Sequence, residues 1–336
     1  MAKKAIFDKK NILVVGGAGF IGSHLCEELV SNNKVICLDN FITGEEENIS
    51  HLLQNPDFKL IRHDIVSPIV LEDQRELDEF RFDFQGLQEI YFLASPASPK
   101  AYLEHPIETL LANSVGLRNA LDMAVKYKAK LLFASSDAVY GQITTEPVKE
   151  DFVGIIDQFD ARSCYSEAKK FGETLVDRYR EEHDLDTKIV RISNCYGPRM
   201  KLTDGRMIPE MISLAISGGD LVIHGDEKSV GSYFFVSDLV KAMMKIMETK
   251  ENGPINIASE WQNKFSEIAE EIIKLVKSKS KIKYKAKDKT MADQPKLDIS
   301  LAKEKLGWFP IILMNEGLKE TVDYLTAQKG IREPGA

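Results

Sequence analysis

The chain has 336 residues, 43% of them hydrophobic, enough for a sizeable core in one large or two modest domains. Lys and Arg total 44 against 52 Asp and Glu, and the net charge of −8 argues against a general nucleic-acid or membrane-surface binder. Four cysteines without a close CxxC pair, six scattered histidines without zinc-ligand spacing, and no apolar run of membrane-spanning length predict a reduced, cytoplasmic protein that needs no metal.

NILVVGGAGFIGSHLCEELV (11–30) reads as a short apolar strand, a glycine turn and an amphipathic helix. KVICLDN (34–40) is a second buried strand ending in an acid. FKLIRHD (58–64) and EIYFLAS (89–95) are two more, separated by the charged stretch LEDQRELDEFRFDFQG. ETLLANSVGLRNALDMAVKY (108–127) is helical by spacing, KLLFASS (130–136) is an apolar strand, YSEAKKFGETLVDRYREE (165–182) is helical again, and KIVRISN (188–194) is a further strand. Strands alternating with helices predict an α/β fold, a doubly wound parallel sheet with its carboxyl strand ends along one edge. After about residue 195 the alternation becomes irregular. The expected division is a Rossmann domain over 1–195 and a smaller, mostly substrate-binding region over 196–336, with some segments returning to the first. KSKSKIKYKAKDK (277–289) reads as a lysine-guarded edge strand, with a polyanion site as the alternative.

Gly16, Gly19 and Gly22 follow a strand and open a helix, and Asp39 ends the next strand. In that context the spacing predicts a dinucleotide site. Gly16 allows the tight turn, Gly19 lets backbone approach a pyrophosphate, and Gly22 lets helix and strand pack closely. The helix N-terminus offers free N–H groups to the phosphates. Asp39 suits the ribose hydroxyls and would repel a 2′-phosphate, which favours NAD over NADP. Asp64 suits the adenine amino group, an ordinary strand-end acid being the alternative. Phe20, Ile21, Asn40, Ile65, Leu93, Ala94, Ser95 and Asn113 complete the expected cofactor-facing set.

Tyr165 and Lys169 stand four residues apart on one helix face. A free phenol titrates near about 10 and is a poor base at neutral pH. A neighbouring ammonium and the positive nicotinamide ring are expected to lower that value, so that Tyr165 takes the proton of a sugar hydroxyl while hydride leaves the same carbon. Ser136, at the end of an adjacent strand, is placed to hold the same oxygen. A surface Tyr–Lys helix pair is the alternative.

GGAGFIGSHL, LASPASP, SSDAVYG, CYSEAKK and NCYGPRM…DGR together resemble the extended short-chain dehydrogenase/reductase family over about residues 11–326, and LASPASPKAY with CYSEAKK resembles its UDP-glucuronate decarboxylase branch. The resemblance implies a tightly held NAD, a nucleoside-diphosphate sugar (UDP-sugar favoured), and oxidation at sugar C4 to a 4-keto intermediate. It carries the catalytic roles to Ser136, Tyr165 and Lys169, and substrate contacts to Ser136, Asn194, Arg199 and Arg206. Ser95, Asn113 and Arg191 line or support the site, or serve structure alone. It also implies a homodimer through helices 108–127 and 165–182, although burial of those faces inside one subunit fits the spacing equally.

Three positions depart from the decarboxylase pattern. Ala138 stands where that branch has Glu, Gly231 where it has Arg, and Pro295 where a second Arg precedes the C-terminal Pro-Asp. Protonation of an enolate at C5 needs an acid, for which Asp137 is the candidate; a structural, loop-capping acid is the alternative. Dehydratases place Asp at this point but follow it with a Glu base, again absent. The expected net reaction is therefore epimerisation or C4 oxidoreduction. UDP-glucuronate decarboxylation, 4,6-dehydration and a non-catalytic NAD-binding regulator are the alternatives.

Overall fold

The structure, a computed structural model, describes residues 9–286 and 295–332. Strands β1 (Asn11–Val15), β2 (Lys34–Asp39), β3 (Phe58–Arg62), β4 (Glu89–Phe92), β5 (Lys130–Ser136) and β6 (Thr187–Ile192) join the late strand Pro254–Ile257 in one sheet. All seven run parallel in the order β3-β2-β1-β4-β5-β6-(254–257). The fold is thus a Rossmann-type doubly wound sheet, with its topological switch point between β1 and β4.

Alternate strand residues face opposite ways. Ile12, Val14, Val35 and Leu132 enter a core shared with the helices Phe20–Val30 and Val236–Glu248. Leu13, Val15, Ile36, Leu131 and Phe133 enter a second core with the helices Leu117–Tyr127 and Ser163–His183. Burial on both faces is why these strands read as unbroken apolar runs. A third core gathers Ile208, Ile212, Leu221, Phe235, Ile272 and Leu318 from the C-terminal part of the chain.

Two stretches are more ordered than their charge predicts. Between β3 and β4, Leu71, Leu77, Phe80 and Phe82 are buried on short helical turns, while the acids around them stay outside. In the lysine-rich segment, Ile282–Lys285 pairs in parallel with Leu221–His224 as a two-stranded ribbon; its last residues, 287–289, lie outside the described part. The helix expected over 108–127 is one continuous run interrupted by a π turn at Ala112–Gly116. Among the described residues no helix is long and apolar enough to cross a membrane, and no cluster of metal-ligating side chains is present.

Candidate active site

The turn after β1 is shaped by exclusion. Gly16 has φ of +82°, and a Cβ there would lie 2.8 Å from the backbone nitrogen of Ala94 at the end of β4. A Cβ at Gly22 would lie 2.1 Å from the carbonyl oxygen of Gly16. Gly19 caps the helix Phe20–Val30, whose first turn carries no acidic side chain to compete with an anion. Phe20 packs toward the C-terminal core and Ile21 toward the sheet.

Asp39 is buried and accepts hydrogen bonds from the backbone N–H groups of Ala18 (2.9 Å) and Phe41 (2.8 Å). Burial pushes its carboxyl above the usual range, against those two bonds. The acid expected to read a ribose therefore also holds the glycine turn. Asn40 donates to Asp64 across adjacent strand ends (3.1 Å), and Asp64 accepts from Val66 N–H (2.9 Å). Ile65 is buried in the second core, so its side chain serves packing. Leu93 and Ala94 lie partly open beside Gly16, and Ser95 accepts a hydrogen bond from Asn113 (2.9 Å). Asn113 sits in the π turn, fully buried, with its Oδ1 unpartnered, and π turns recur at functional sites.

The end of β5 is shaped by attraction. Tyr165 and Lys169 lie on the helix Ser163–His183, which packs closely on β5: a Cβ at Gly172 would come within 2.5 Å of the Phe133 ring. Ser136 lies close enough to the Tyr165 hydroxyl to pull its proton affinity down. Lys169 Nζ lies 5.7 Å from the Tyr165 ring centroid and donates to the Ala134 carbonyl at 2.8 Å. Ser136, Tyr165 and Lys169 are therefore brought together.

In the protein alone, burial sets their proton affinities. Burial pushes the Tyr165 phenol up to about 12, against the Ser136 hydroxyl and the Arg206 charge, which pull it down. Burial likewise lowers Lys169 to about 7, against the nearby Glu173. In the free protein the ammonium thus loses its proton well before the phenol does, and desolvation outweighs the charge–charge effect. A second positive charge is needed to make the phenol a base.

Asp137 continues the network. Ser136 Oγ donates to its Oδ1 (2.9 Å) and Ser193 Oγ to its Oδ2 (2.8 Å). Burial raises its carboxyl against these bonds. Ala138, with its methyl, is the second residue of the turn Asp137–Tyr140.

The remaining expected residues separate. Arg206 is held by Asp204 (3.2 Å) and the Ala97 carbonyl (3.3 Å), close enough for its charge to act on Tyr165. Asn194 donates to the Ser232 carbonyl at 3.2 Å. Arg199 is turned toward the helix Phe20–Val30, pairing with Glu27, 3.5 Å from His51 Nε2. Arg191 lies beneath the site, bonding both Glu173 oxygens (2.9 and 2.7 Å), the Tyr140 hydroxyl and the Glu150 carbonyl. Its contacts assign it to support. Gly231 pairs with Asn263 in a short antiparallel ribbon.

Sequence reasoning missed four groups. Glu173 accepts from Ser135 (2.6 Å) and faces Lys169; its i+4 spacing from that lysine was the available signal. Gly172 is a glycine inside a helical pattern, the usual mark of close packing. Tyr102 stacks on Tyr165 at 5.2 Å and 14° and stands in LASPASPKAY. Ser193 carried no signal. A cavity of about 440 Å³ lined by Trp261, Phe309 and Lys303 includes none of the Ser136–Tyr165–Lys169 groups.

The chain has relatives of known sequence and known structure. Residues 13–321 match a family model described as GDP-mannose 4,6 dehydratase. The chain is 38% identical over 309 residues to UDP-glucuronic acid decarboxylase 6 of Arabidopsis thaliana, covering 91% of this chain and 86% of that protein. It superposes on the UDP-glucose 4-epimerase of Thermotoga maritima, with UDP-glucose, at a TM-score of 0.81 and 28% identity, covering 95% and 99% of the two chains. The UDP-glucuronic acid 4-epimerase of Bacillus cereus, in complex with UDP-glucuronic acid and NAD, gives 0.79 and 26% over the same shares.

Proposed function

Because this chain belongs to the extended short-chain dehydrogenases/reductases, the NAD-dependent epimerases and dehydratases, we propose that it oxidises a nucleotide sugar at C4 and returns the hydride as an epimerase or C4 oxidoreductase. It is an NAD-dependent enzyme of nucleotide-sugar modification. The observation that carries the finer reading is the corner Ser136-Asp137-Ala138: it holds an alcohol oxygen but offers a methyl where elimination or enolate protonation needs a second proton carrier.

The glycine turn and Asp39 suit a dinucleotide, since the turn opens the helix Phe20–Val30, whose first turn has no acidic side chain to oppose phosphates. The bound cofactor supplies a hydride acceptor. Ser136 holds the C4 oxygen, and Tyr165 takes its proton once positive charge stands beside the phenol. Lys169, whose Nζ lies 5.7 Å from the Tyr165 ring centroid, adds positive charge beside the phenol when protonated. Tyr165 then returns the proton when the ketone is reduced from the other face.

Decarboxylation of UDP-glucuronate is the second reading, supported by the identity to the plant enzyme, with Asp137 as the acid. Incubation with UDP-, dTDP-, GDP- and CDP-sugars separates the two. Inverted product of unchanged mass, seen by NMR, supports epimerisation; loss of carbon dioxide by mass spectrometry overturns it in favour of decarboxylation. We also propose a homodimer through the exposed Ile107, Leu111, Val115 and Phe171 on the helices 106–127 and 163–183. Ile107→Asp is expected to halve the sedimentation mass.

A further inference from the structure

Asp137 has both carboxylate oxygens fixed as acceptors, one by Ser136 and one by Ser193. Among the described residues no Lys, Arg or His forms an ion pair or hydrogen bond with it. The cations around it are committed elsewhere. Lys169 serves the Ala134 carbonyl, Arg191 serves Glu173, and Arg206 serves Asp204 and the Ala97 carbonyl. The Ala138 side chain adds neither charge nor hydrogen-bond capacity, its backbone N–H being given to Ser136 Oγ. The hydroxyl that holds the reacting alcohol is therefore one hydrogen bond away from an uncompensated acceptor.

On a pyranose, a substituent on the carbon next to the oxidised one lies within a few bonds of the alcohol held by Ser136 and Tyr165. If that substituent is a carboxylate, it brings no hydrogen to the Asp137 acceptors and repels Asp137 as a like charge wherever that carboxyl is ionised. If it is a hydroxymethyl group, it can donate a hydrogen bond to an Asp137 oxygen. We propose that Asp137, positioned by Ser193, is a specificity residue that selects nucleotide sugars with an uncharged, hydrogen-bond-donating group beside the oxidised carbon and rejects uronates. This rests on the C4-oxidation reading. It separates the chain from relatives named for glucuronic acid, and it needs only the two serine bonds and the absent cation.

The test uses NAD-loaded enzyme carrying Tyr165→Phe to stop turnover, with UDP-glucose and UDP-glucuronate as probes and UDP as a control for the nucleotide pocket. UDP-glucose is expected to bind on the order of 100-fold more tightly than UDP-glucuronate. Adding Asp137→Asn is expected to bring the two within about threefold by tightening glucuronate, with UDP affinity unchanged. Ser193→Ala, which leaves the charge but frees its position, is expected to narrow the ratio partway, and it carries the test if the Asn variant does not fold. Equal or tighter glucuronate binding, an unchanged ratio in these variants, or no binding of either sugar overturns the proposal. The chemistry is read separately, by NMR of UDP-glucose incubated with unsubstituted holoenzyme. Neither a C4-inverted nor a 4-keto product there, with the binding ratio intact, sinks C4 oxidation of that sugar and leaves the specificity assignment standing.

Discussion

The turn after β1 and the corner at the end of β5 lie on the same sheet edge and are built on opposite physics. Around Gly16 and Gly22 position comes from repulsion, because backbone meets backbone with no room for a methyl group. Around Ser136 and Tyr165 position comes from attraction, through hydrogen bonds to Asp137 and a buried Arg191–Glu173 pair below. The first kind of site tolerates no added atom, with the Asp39 carboxylate as its pH-sensitive fastening. The second survives small changes of shape but is set by charge and burial.

That contrast breaks first at Tyr165. Tyr165→Phe removes the proton carrier and little volume, so kcat is expected to fall by about 10³–10⁴-fold with NAD affinity held; retained turnover in a stopped-flow assay would remove the phenol from the mechanism. Arg191→Ala comes next. It leaves the largely buried Glu173 with only the Ser135 hydroxyl and the nearby Lys169, and is expected to cost up to about 3 kcal/mol in urea unfolding, although Arg191 contacts neither Ser136 nor Tyr165. A cost below about 1 kcal/mol would mean the pair does not organise the corner. Gly22→Ala sharpens the other side: the clash with the Gly16 carbonyl is expected to cost up to about 3 kcal/mol and to weaken NAD binding at every pH. Wild-type NAD affinity in calorimetry would refute the steric account.

The smallest effect concerns pH. The Arg206 charge lowers Tyr165, so Arg206→Met raises it. Phenolate forms as pH rises through the Tyr165 value, so the rising limb of the pH–rate profile moves to higher pH. Activity at neutral pH is then expected to fall by about tenfold or less, for a shift of up to about one unit. NAD⁺ binding works in the opposite sense, and titrating it into the enzyme is expected to increase phenolate absorbance at fixed pH.

The repulsive half of the site was legible because its rule is local: glycines at fixed spacing after an apolar run, then an acid at the next strand end. Ser136, Tyr165 and Lys169 were legible as a set for the same reason, each at a strand end or on one helix face. Their proton affinities were not. Burial, a tertiary quantity, raised Tyr165 to about 12 where charge alone predicted a fall. Arg199 turned toward Glu27, a choice made by a helix 172 residues earlier in the chain. Ser193 meets Asp137 only because β6 lies beside β5.

The late strand Pro254–Ile257 has a consequence for biosynthesis. Until it emerges, β6 offers a bare row of amide and carbonyl groups along its whole outer side. Asn256, on that strand, also receives the Tyr140 hydroxyl and grips the carbonyls of Val148 and Asp298, tying early, middle and late segments in one knot of bonds. A ribosome that has delivered only the first two hundred residues therefore holds an adhesive sheet margin, and chaperone demand should peak in that interval of translation.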